Sequence, residues 1–276
     1  MRRDVLEPAV AGSWYPDDPG ELRALVDGLL ARAPEPPPQR PAALIAPHAG
    51  LMYSGAVAAA AFVSLRAHPF TRVVLLGPSH YAAFRGGVVP EAEGWRTPLG
   101  ELPLEGEVEL PRRTSPFLRE HCLEAELPFL QRCLHAGFTA IPILVGPHSD
   151  PADLDAVARA VEPLLGSGTL LVVSSDFTHY GAAFGFTPFR DALPDRIAEL
   201  DRGALASIEA GEAGAFETYV ARTGATICGR HAIGVLLRLD AVRRSPARRT
   251  LAYATSGEMT GSFDHSVSYA AVHVAA

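Results

Sequence analysis

The chain has 276 residues, of which 48% are hydrophobic, and a formal net charge of −7. This length suits one large α/β domain, and we expect a single domain over residues 1–276. All 24 basic residues are arginines, and they are scattered among 31 acidic residues, so we expect no nucleic-acid partner. Without lysine, the chain can form neither a Schiff base nor a P-loop.

The N-terminal residues and the cysteines indicate the compartment. No apolar segment follows Met1-Arg2-Arg3, and no apolar run reaches the length of a membrane span. Three cysteines without a C-x-x-C pair form neither a disulfide scaffold nor a zinc finger. We therefore expect a cytoplasmic protein without membrane contact.

The apolar pattern predicts alternating helices and strands. A helix from Asp17 or Asp18 to about Arg32 precedes a rigid proline-rich spacer at 34–38. The later predicted elements are strand Ala42–Ala46, helix Gly55–Leu65, strand Arg72–Leu76, an antiparallel excursion over Gly86–Leu110, helix Glu124–His135, strand Thr139–Val145, helix Asp153–Leu165, strand Thr169–Val173, helices Pro194–Ala210 and Ala213–Arg222, a helix from Gly229 to about Leu239, and strands Thr250–Thr255 and Ser266–Val274. This alternation predicts a three-layer α/β/α domain with a largely parallel central sheet.

Three of the predicted strands run into turns that contain a histidine: His48, His80 and His179. In an open α/β sheet, ligand-binding groups collect beyond the carboxyl ends of the strands, so these imidazoles should meet in one crevice. A histidine at a strand end is also common without any function. Two such turns within one βαβ unit make coincidence the weaker explanation for His48 and His80.

Asp176 directly follows a core strand. A buried aspartate costs several kcal/mol unless it is paired, so we expect a local partner, with His179 as the natural candidate. The alternative is that Asp176 caps a following helix.

Cys228 stands before Gly229 and a predicted helix. The helix dipole, Arg230 and His231 are expected to lower the pKa of this thiol and favour a thiolate, which can serve as a ligand or a nucleophile. In contrast, Cys122 and Cys133 lie among leucines and are interpreted as packing residues. Nearby Glu126 is interpreted as a solvated helix carboxylate.

Together these turns resemble the Memo family, known in bacteria and archaea as protein B of the AmmeMemoRadiSam system. The matching segments are Ala11–Tyr15, Ala46–Gly50 with Tyr53–Gly55, Leu76–His80, Glu120-His121 with Glu124 and Leu127–Phe129, Ser174–Gly181, Cys228–His231 and Ser266–Ala271. They extend from residue 11 to residue 271, so the resemblance covers nearly the whole chain.

The resemblance implies a fold like that of the class III extradiol ring-cleavage dioxygenases and a single divalent metal, with iron preferred and copper or zinc as alternatives. The site residues that it implies are the ligands His48, His80 and Cys228, the acid/base His179, the supporting or occasional ligand Asp176, and the pocket-lining Trp14, Tyr53 and Glu124. The implied partners are an unknown small molecule or peptide and other proteins of the AmmeMemoRadiSam system.

Four functions remain open from the sequence. The first is a metal-dependent oxidoreductase, because two imidazoles and one anionic ligand leave open positions for O₂ and a substrate. The others are a zinc-type hydrolase, a cysteine hydrolase with Cys228 as the nucleophile, and a non-catalytic peptide-binding or metal-binding protein.

Overall fold

The computed structural model describes residues 4–276, in which strands and helices mostly alternate, with a run of strands at 87–103 and a run of helices at 193–243. The strands are β1 (Val5–Leu6), β2 (Pro41–Ala46), β3 (Arg72–Pro78), β4 (Gly87–Val88), β5 (Gly94–Thr97), β6 (Gly100–Pro103), β7 (Thr139–Val145), β8 (Thr169–Ser174), β9 (His179–Gly181), β10 (Arg248–Thr255) and β11 (His265–Ala275). The α-helices are α1 (Pro19–Arg32), α2 (Leu51–Phe62), α3 (Leu127–Cys133), α4 (Pro151–Val161), α5 (Leu193–Ala210), α6 (Ala213–Thr223), α7 (Arg230–Leu236), α8 (Asp240–Arg243) and α9 (Ser256–Thr260). Within residues 4–276, no helix is long and apolar enough to cross a membrane.

The central sheet has the strand order β10-β11-β2-β8-β3-β7-β4, and β9 pairs with β11 outside this path. Its middle is parallel: β2 pairs with β8, β8 with β3, and β3 with β7. Its margins are antiparallel, at β10, β11, β9 and β4. The mixed α/β architecture is as predicted, and the parallel part is its four-stranded middle.

Helices cover both faces of the sheet and produce two apolar cores. Alternate residues of one strand point into different cores, so Val73 and Leu75 belong to the first core, whereas Val74 and Leu76 belong to the second. Buried residues of α1, α2 and α3 contribute to the first core, and those of α4 to α8 contribute to the second. This is the predicted three-layer arrangement.

Most predicted elements occur, and the differences have local causes. Asp18 caps α1 as expected, and its side chain accepts hydrogen bonds from the backbone N–H groups of Gly20 and Glu21. The predicted excursion contains the antiparallel pair β5–β6. The predicted helix Glu124–His135 is divided into a 3₁₀ turn, Glu124–Glu126, and α3, because Pro128 lacks an N–H group and fits the first turn of a helix.

Candidate metal centre

The candidate site lies beyond the carboxyl ends of three adjacent strands. His48 follows β2, Asp176 follows β8 and His80 follows β3, and these strands are neighbours in the order β2-β8-β3. The ring centroids of His48 and His80 are 5.3 Å apart. The predicted meeting of these two imidazoles at one edge of the sheet is therefore confirmed.

His48 is buried, and both of its ring nitrogens have polar neighbours. Nδ1 lies 2.8 Å from Ser174 Oγ, and Nε2 lies 3.3 Å from Cys228 Sγ. Burial lowers the pKa of His48 well below its usual value, and the neighbouring histidines lower it further. The imidazole is therefore held neutral, the form that binds metals.

The ring of His80 is oriented by Glu120. One carboxylate oxygen of Glu120 lies 2.8 Å from His80 Nδ1, and the other accepts the backbone N–H of His80 at 2.7 Å. Burial opposes ionisation of Glu120, but its hydrogen bonds to His80 outweigh burial and lower its pKa. Because the carboxylate only accepts, Nδ1 carries the hydrogen and Nε2 is left available to a metal.

His121 completes a group of three histidines. One ring nitrogen from each of His48, His80 and His121 lies within 4.8 Å of the other two. The rings of His80 and His121 stack with centroids 4.5 Å apart. Burial lowers the pKa of His121 to about 4. Sequence reasoning did not select His121 as a donor, although an adjacent Glu–His pair before an apolar helix was a visible signal.

Cys228 reaches the site because Gly229 allows close backbone approach. A Cβ atom at Gly229 would lie 2.4 Å from the Cβ of Ser175, and the backbone N–H of Asp176 donates to Cys228 Sγ at 3.2 Å. The predicted lowering of the thiol pKa is wrong for the metal-free protein. Removal from water and the nearby Asp176 raise the pKa of the thiol, and these effects outweigh the hydrogen bonds with Asp176, Ser175 and Gly229 that lower it; the side chain of Arg230 is exposed. A bound metal deprotonates a coordinating thiol outright.

The partner of Asp176 differs from the sequence expectation. Its Oδ1 accepts the backbone N–H of His48 at 2.9 Å, and its Oδ2 lies 4.0 Å from His48 Nε2. Burial raises the pKa of Asp176 to about 6, although the nearby His179 opposes this change. The chain continues into β9 and not into a helix, so Asp176 fixes the His48 turn and is not a helix cap.

His179 is held by backbone carbonyl groups. Its Nδ1 lies 2.8 Å from the carbonyl oxygen of Phe177 and 3.0 Å from that of Thr226. Carbonyl oxygens only accept hydrogen bonds, so Nδ1 carries the hydrogen and Nε2 is the basic nitrogen. Thr178 is fixed in turn by the buried Asp201, whose Oδ1 accepts from both the Thr178 hydroxyl and its backbone N–H.

The three predicted pocket residues have different environments. Trp14 is half-buried, and the centroid of its ring lies 4.2 Å from the ring centroid of His121. Tyr53 is half-buried in the first turn of α2. Glu124 is fully buried, and its carboxylate accepts from the Tyr15 hydroxyl and from two backbone N–H groups, those of residues 9 and 10. Glu124 therefore anchors the N-terminal segment through these hydrogen bonds, and its role in lining the pocket stays a prediction.

On the Nδ1 side of the His48 ring, Ser174 contacts the imidazole and Glu126 contacts Ser174. Glu126 is fully buried, in contrast to its predicted solvated position, and burial raises its pKa well above the usual value. Its Oε1 lies 2.6 Å from Ser174 Oγ. Cys122 is also buried, with its thiol 3.2 Å from the carbonyl oxygen of Pro78, which agrees with a packing role.

Comparison with known proteins finds relatives that match nearly the whole chain. The family model described as Memo-like protein matches residues 6–273. Protein MEMO1 of Xenopus laevis is 34% identical, and Protein MEMO1 of Homo sapiens is 33% identical, each over 96% of this chain and 95% of the relative. Protein memo-1 homolog of Caenorhabditis elegans is 32% identical over 94% of this chain and 79% of its own length. The matched region includes every residue of the candidate centre.

Proposed function

Because the chain belongs to the Memo-like family, we propose that it is a metal-dependent oxidoreductase that resembles the class III extradiol dioxygenases. Its substrate would be a small molecule or a group carried by a partner protein. The observation that carries this proposal is the close approach of histidine nitrogens and a thiol at one end of the parallel strands.

The proposed ligands are His48, His80 and Cys228. The donor set fits a transition metal, because the Nδ1 atom of each imidazole is already engaged and its Nε2 atom is left available. Two imidazoles and one anion leave positions for O₂ and a substrate, which is the arrangement used by non-haem iron oxygenases. Iron is therefore the first choice of metal, while the soft thiolate makes copper or zinc the alternatives.

When bound, the metal would supply the electron-transfer and Lewis-acid chemistry of the site. The chain itself would supply a proton acceptor and donor at Nε2 of His179, whose ring is held by the carbonyl groups of Phe177 and Thr226. Asp176 would keep the His48 turn in place through its hydrogen bond to the backbone. The rings of Trp14 and Tyr53 would form part of the pocket wall.

A specific observation favours a second candidate, a non-catalytic metal-binding protein. His121 lies beside His48 and His80 and adds a third imidazole to the set. Three imidazoles and one thiolate would fill a four-coordinate site, and closed sites of this kind bind metal without turnover.

One experiment separates these candidates. The protein is purified anaerobically, its metal content is measured by elemental analysis, and O₂ uptake is recorded with a panel of catechols. Stoichiometric iron with substrate-dependent O₂ uptake supports the oxidoreductase. Tightly bound metal without uptake supports the metal-binding protein, and absence of stoichiometric metal overturns both.

A further inference from the structure

Ser174 Oγ is the meeting point of three polar groups behind the candidate centre. It lies 2.8 Å from His48 Nδ1, 2.8 Å from the carbonyl oxygen of Cys122 and 2.6 Å from Glu126 Oε1. All of these residues are buried. Each of the three contacts has hydrogen-bond length, so each needs one hydrogen.

Counting hydrogens identifies their positions. A serine hydroxyl has one hydrogen to donate and two lone pairs that accept. The Cys122 carbonyl can only accept, so the hydroxyl hydrogen of Ser174 points to it. The remaining hydrogens must then come from the other two partners, namely from Nδ1 of His48 and from a protonated carboxyl group of Glu126.

An ionised Glu126 does not satisfy the same contacts. The Ser174 hydrogen would then point to Glu126, and the Cys122 carbonyl would face the serine oxygen at 2.8 Å without a hydrogen between them. The other carboxylate oxygen of Glu126, Oε2, is buried and has no hydrogen-bond partner among the described residues. A buried charge with one unpartnered oxygen is costly, whereas a neutral acid leaves only an uncharged oxygen without a partner.

We propose that Glu126 is a neutral carboxylic acid that, together with Ser174, holds the hydrogen of His48 on Nδ1 and thereby reserves Nε2 for the metal. Glu126 is in this view a positioning residue, since Ser174 separates it from the ligand. The inference rests on the proposed metal centre and deepens it. Complete burial of Glu126 and the proximity of Asp176, both of which raise its pKa, support the neutral form.

The opposite side of the ring fits the same assignment. Cys228 Sγ lies 3.3 Å from Nε2, so the thiol can donate to that nitrogen when His48 carries its hydrogen on Nδ1. Metal binding would then replace the thiol hydrogen and leave the contacts on the Nδ1 side unchanged.

The first test uses the metal-free protein. With ¹⁵N-labelled histidine, NMR should show His48 with its hydrogen on Nδ1 at neutral pH. Infrared spectra should contain a protonated-carboxyl band that loses intensity in Glu126→Gln. A hydrogen on Nε2 of His48, or an unchanged infrared band in Glu126→Gln, overturns the proposal.

The second test measures Co²⁺ affinity by its absorption spectrum. Glu126→Gln keeps a neutral donor toward Ser174, so its affinity should stay within about threefold of the parent protein. Ser174→Ala removes the acceptor for Nδ1 and should weaken Co²⁺ binding roughly 10–100-fold, the usual effect of losing a group that orients a ligand. Equal, large losses in Glu126→Gln and Ser174→Ala would show that a charged carboxylate is required and would overturn the proposal.

A matched control is Glu124→Gln, a second buried glutamate in the same 3₁₀ turn, which should leave the tautomer of His48 unchanged. A change of tautomer in this control would count against a specific role for Glu126. If the parent protein binds no Co²⁺, the metal-centre proposal fails, whereas the NMR and infrared results on the metal-free protein still decide the state of Glu126. If Glu126→Gln does not fold, the infrared measurement is repeated with Glu126→Leu, an apolar side chain of similar size, and a protonated-carboxyl band that is unchanged in that variant overturns the proposal.

Discussion

At the scale of single residues, the candidate centre depends on which nitrogen of each imidazole is already engaged. His48, His80 and His179 all use Nδ1 for contacts within the protein. The partners differ: a hydroxyl for His48, a carboxylate for His80 and carbonyl oxygens for His179. Each ring is thus presented by a different local structure, but with the same nitrogen available.

The proposed ligands predict a simple pattern of metal loss. His48→Ala, His80→Ala and Cys228→Ser should each abolish stoichiometric metal binding while leaving the fold intact, because each removes one donor atom. Elemental analysis and circular dichroism after identical purification check this expectation. The control is Cys133→Ser, a half-buried cysteine at the end of α3, which should keep full occupancy. Full occupancy in Cys228→Ser would remove the thiolate from the ligand set.

His179 is predicted to act on protons and not on the metal. His179→Ala should retain bound metal and lose turnover by roughly 10²–10⁴-fold, the usual contribution of a positioned acid or base. The measurement pairs metal content with the rate of O₂ uptake on a substrate from the catechol panel. Metal loss in this variant would make His179 a ligand, and unchanged turnover would assign it no catalytic role.

At the scale of elements, the turn that carries His179 is fixed by a buried residue of a helix. Asp201 of α5 accepts two hydrogen bonds from Thr178 and a third from the hydroxyl of Tyr253 on β10. This buried carboxylate therefore connects a helix, an edge strand and the turn that carries His179. It is a long-range contact that fixes the turn from outside the crevice.

Loss of this connection should affect both stability and turnover. Asp201→Ala leaves buried polar groups without partners, and we expect the free energy of unfolding to fall by about 1–3 kcal/mol. Turnover should fall while metal content stays near that of the parent, because the proposed ligands lie on other segments. Urea unfolding and elemental analysis measure the two effects. Parent-like stability would show that the three hydrogen bonds contribute little.

The sequence was most informative where local signals decide structure. Strand β7 was predicted with its observed bounds, because an apolar run stops at Gly146-Pro147. The turns after β2 and β3 were also predicted, since their histidines follow apolar strands directly. The roles of Glu124 and Glu126 were not predictable, because their partners are distant in the chain: Ala9 is 115 residues from Glu124, and Ser174 is 48 residues from Glu126.

At the scale of the whole molecule, the buried histidines connect stability to pH. The pKa of His121 is lowered from about 6.5 to about 4 in the folded protein, mainly by burial. Below pH 6.5 the unfolded chain takes up a proton that the folded protein does not, so protonation favours unfolding.

In the metal-free protein, His121 should therefore contribute a loss of stability as the pH falls from about 6.5 to about 4, whereas the raised pKa values of the buried Asp176 and Glu126 act in the opposite direction. The loss assigned to His121 is about 3 kcal/mol. Urea unfolding at a series of pH values measures it. The contribution is read as the difference between the parent protein and His121→Gln, which should be less destabilised than the parent on acidification from about pH 6.5 to about pH 4; the same pH dependence in both proteins would assign the effect to other groups.

The wide spacing of the centre along the chain has a consequence for the lifetime of the protein. His48 and Cys228 are 180 residues apart, yet their side chains meet. An ion held by both would act as a reversible cross-link that exists only in the native state. By mass action it would add about 2.7 kcal/mol to stability at a free-metal concentration of 100 times the Kd. Supply of the ion would then set how long the protein survives proteases, and a chelator should shorten that time even when no substrate is present.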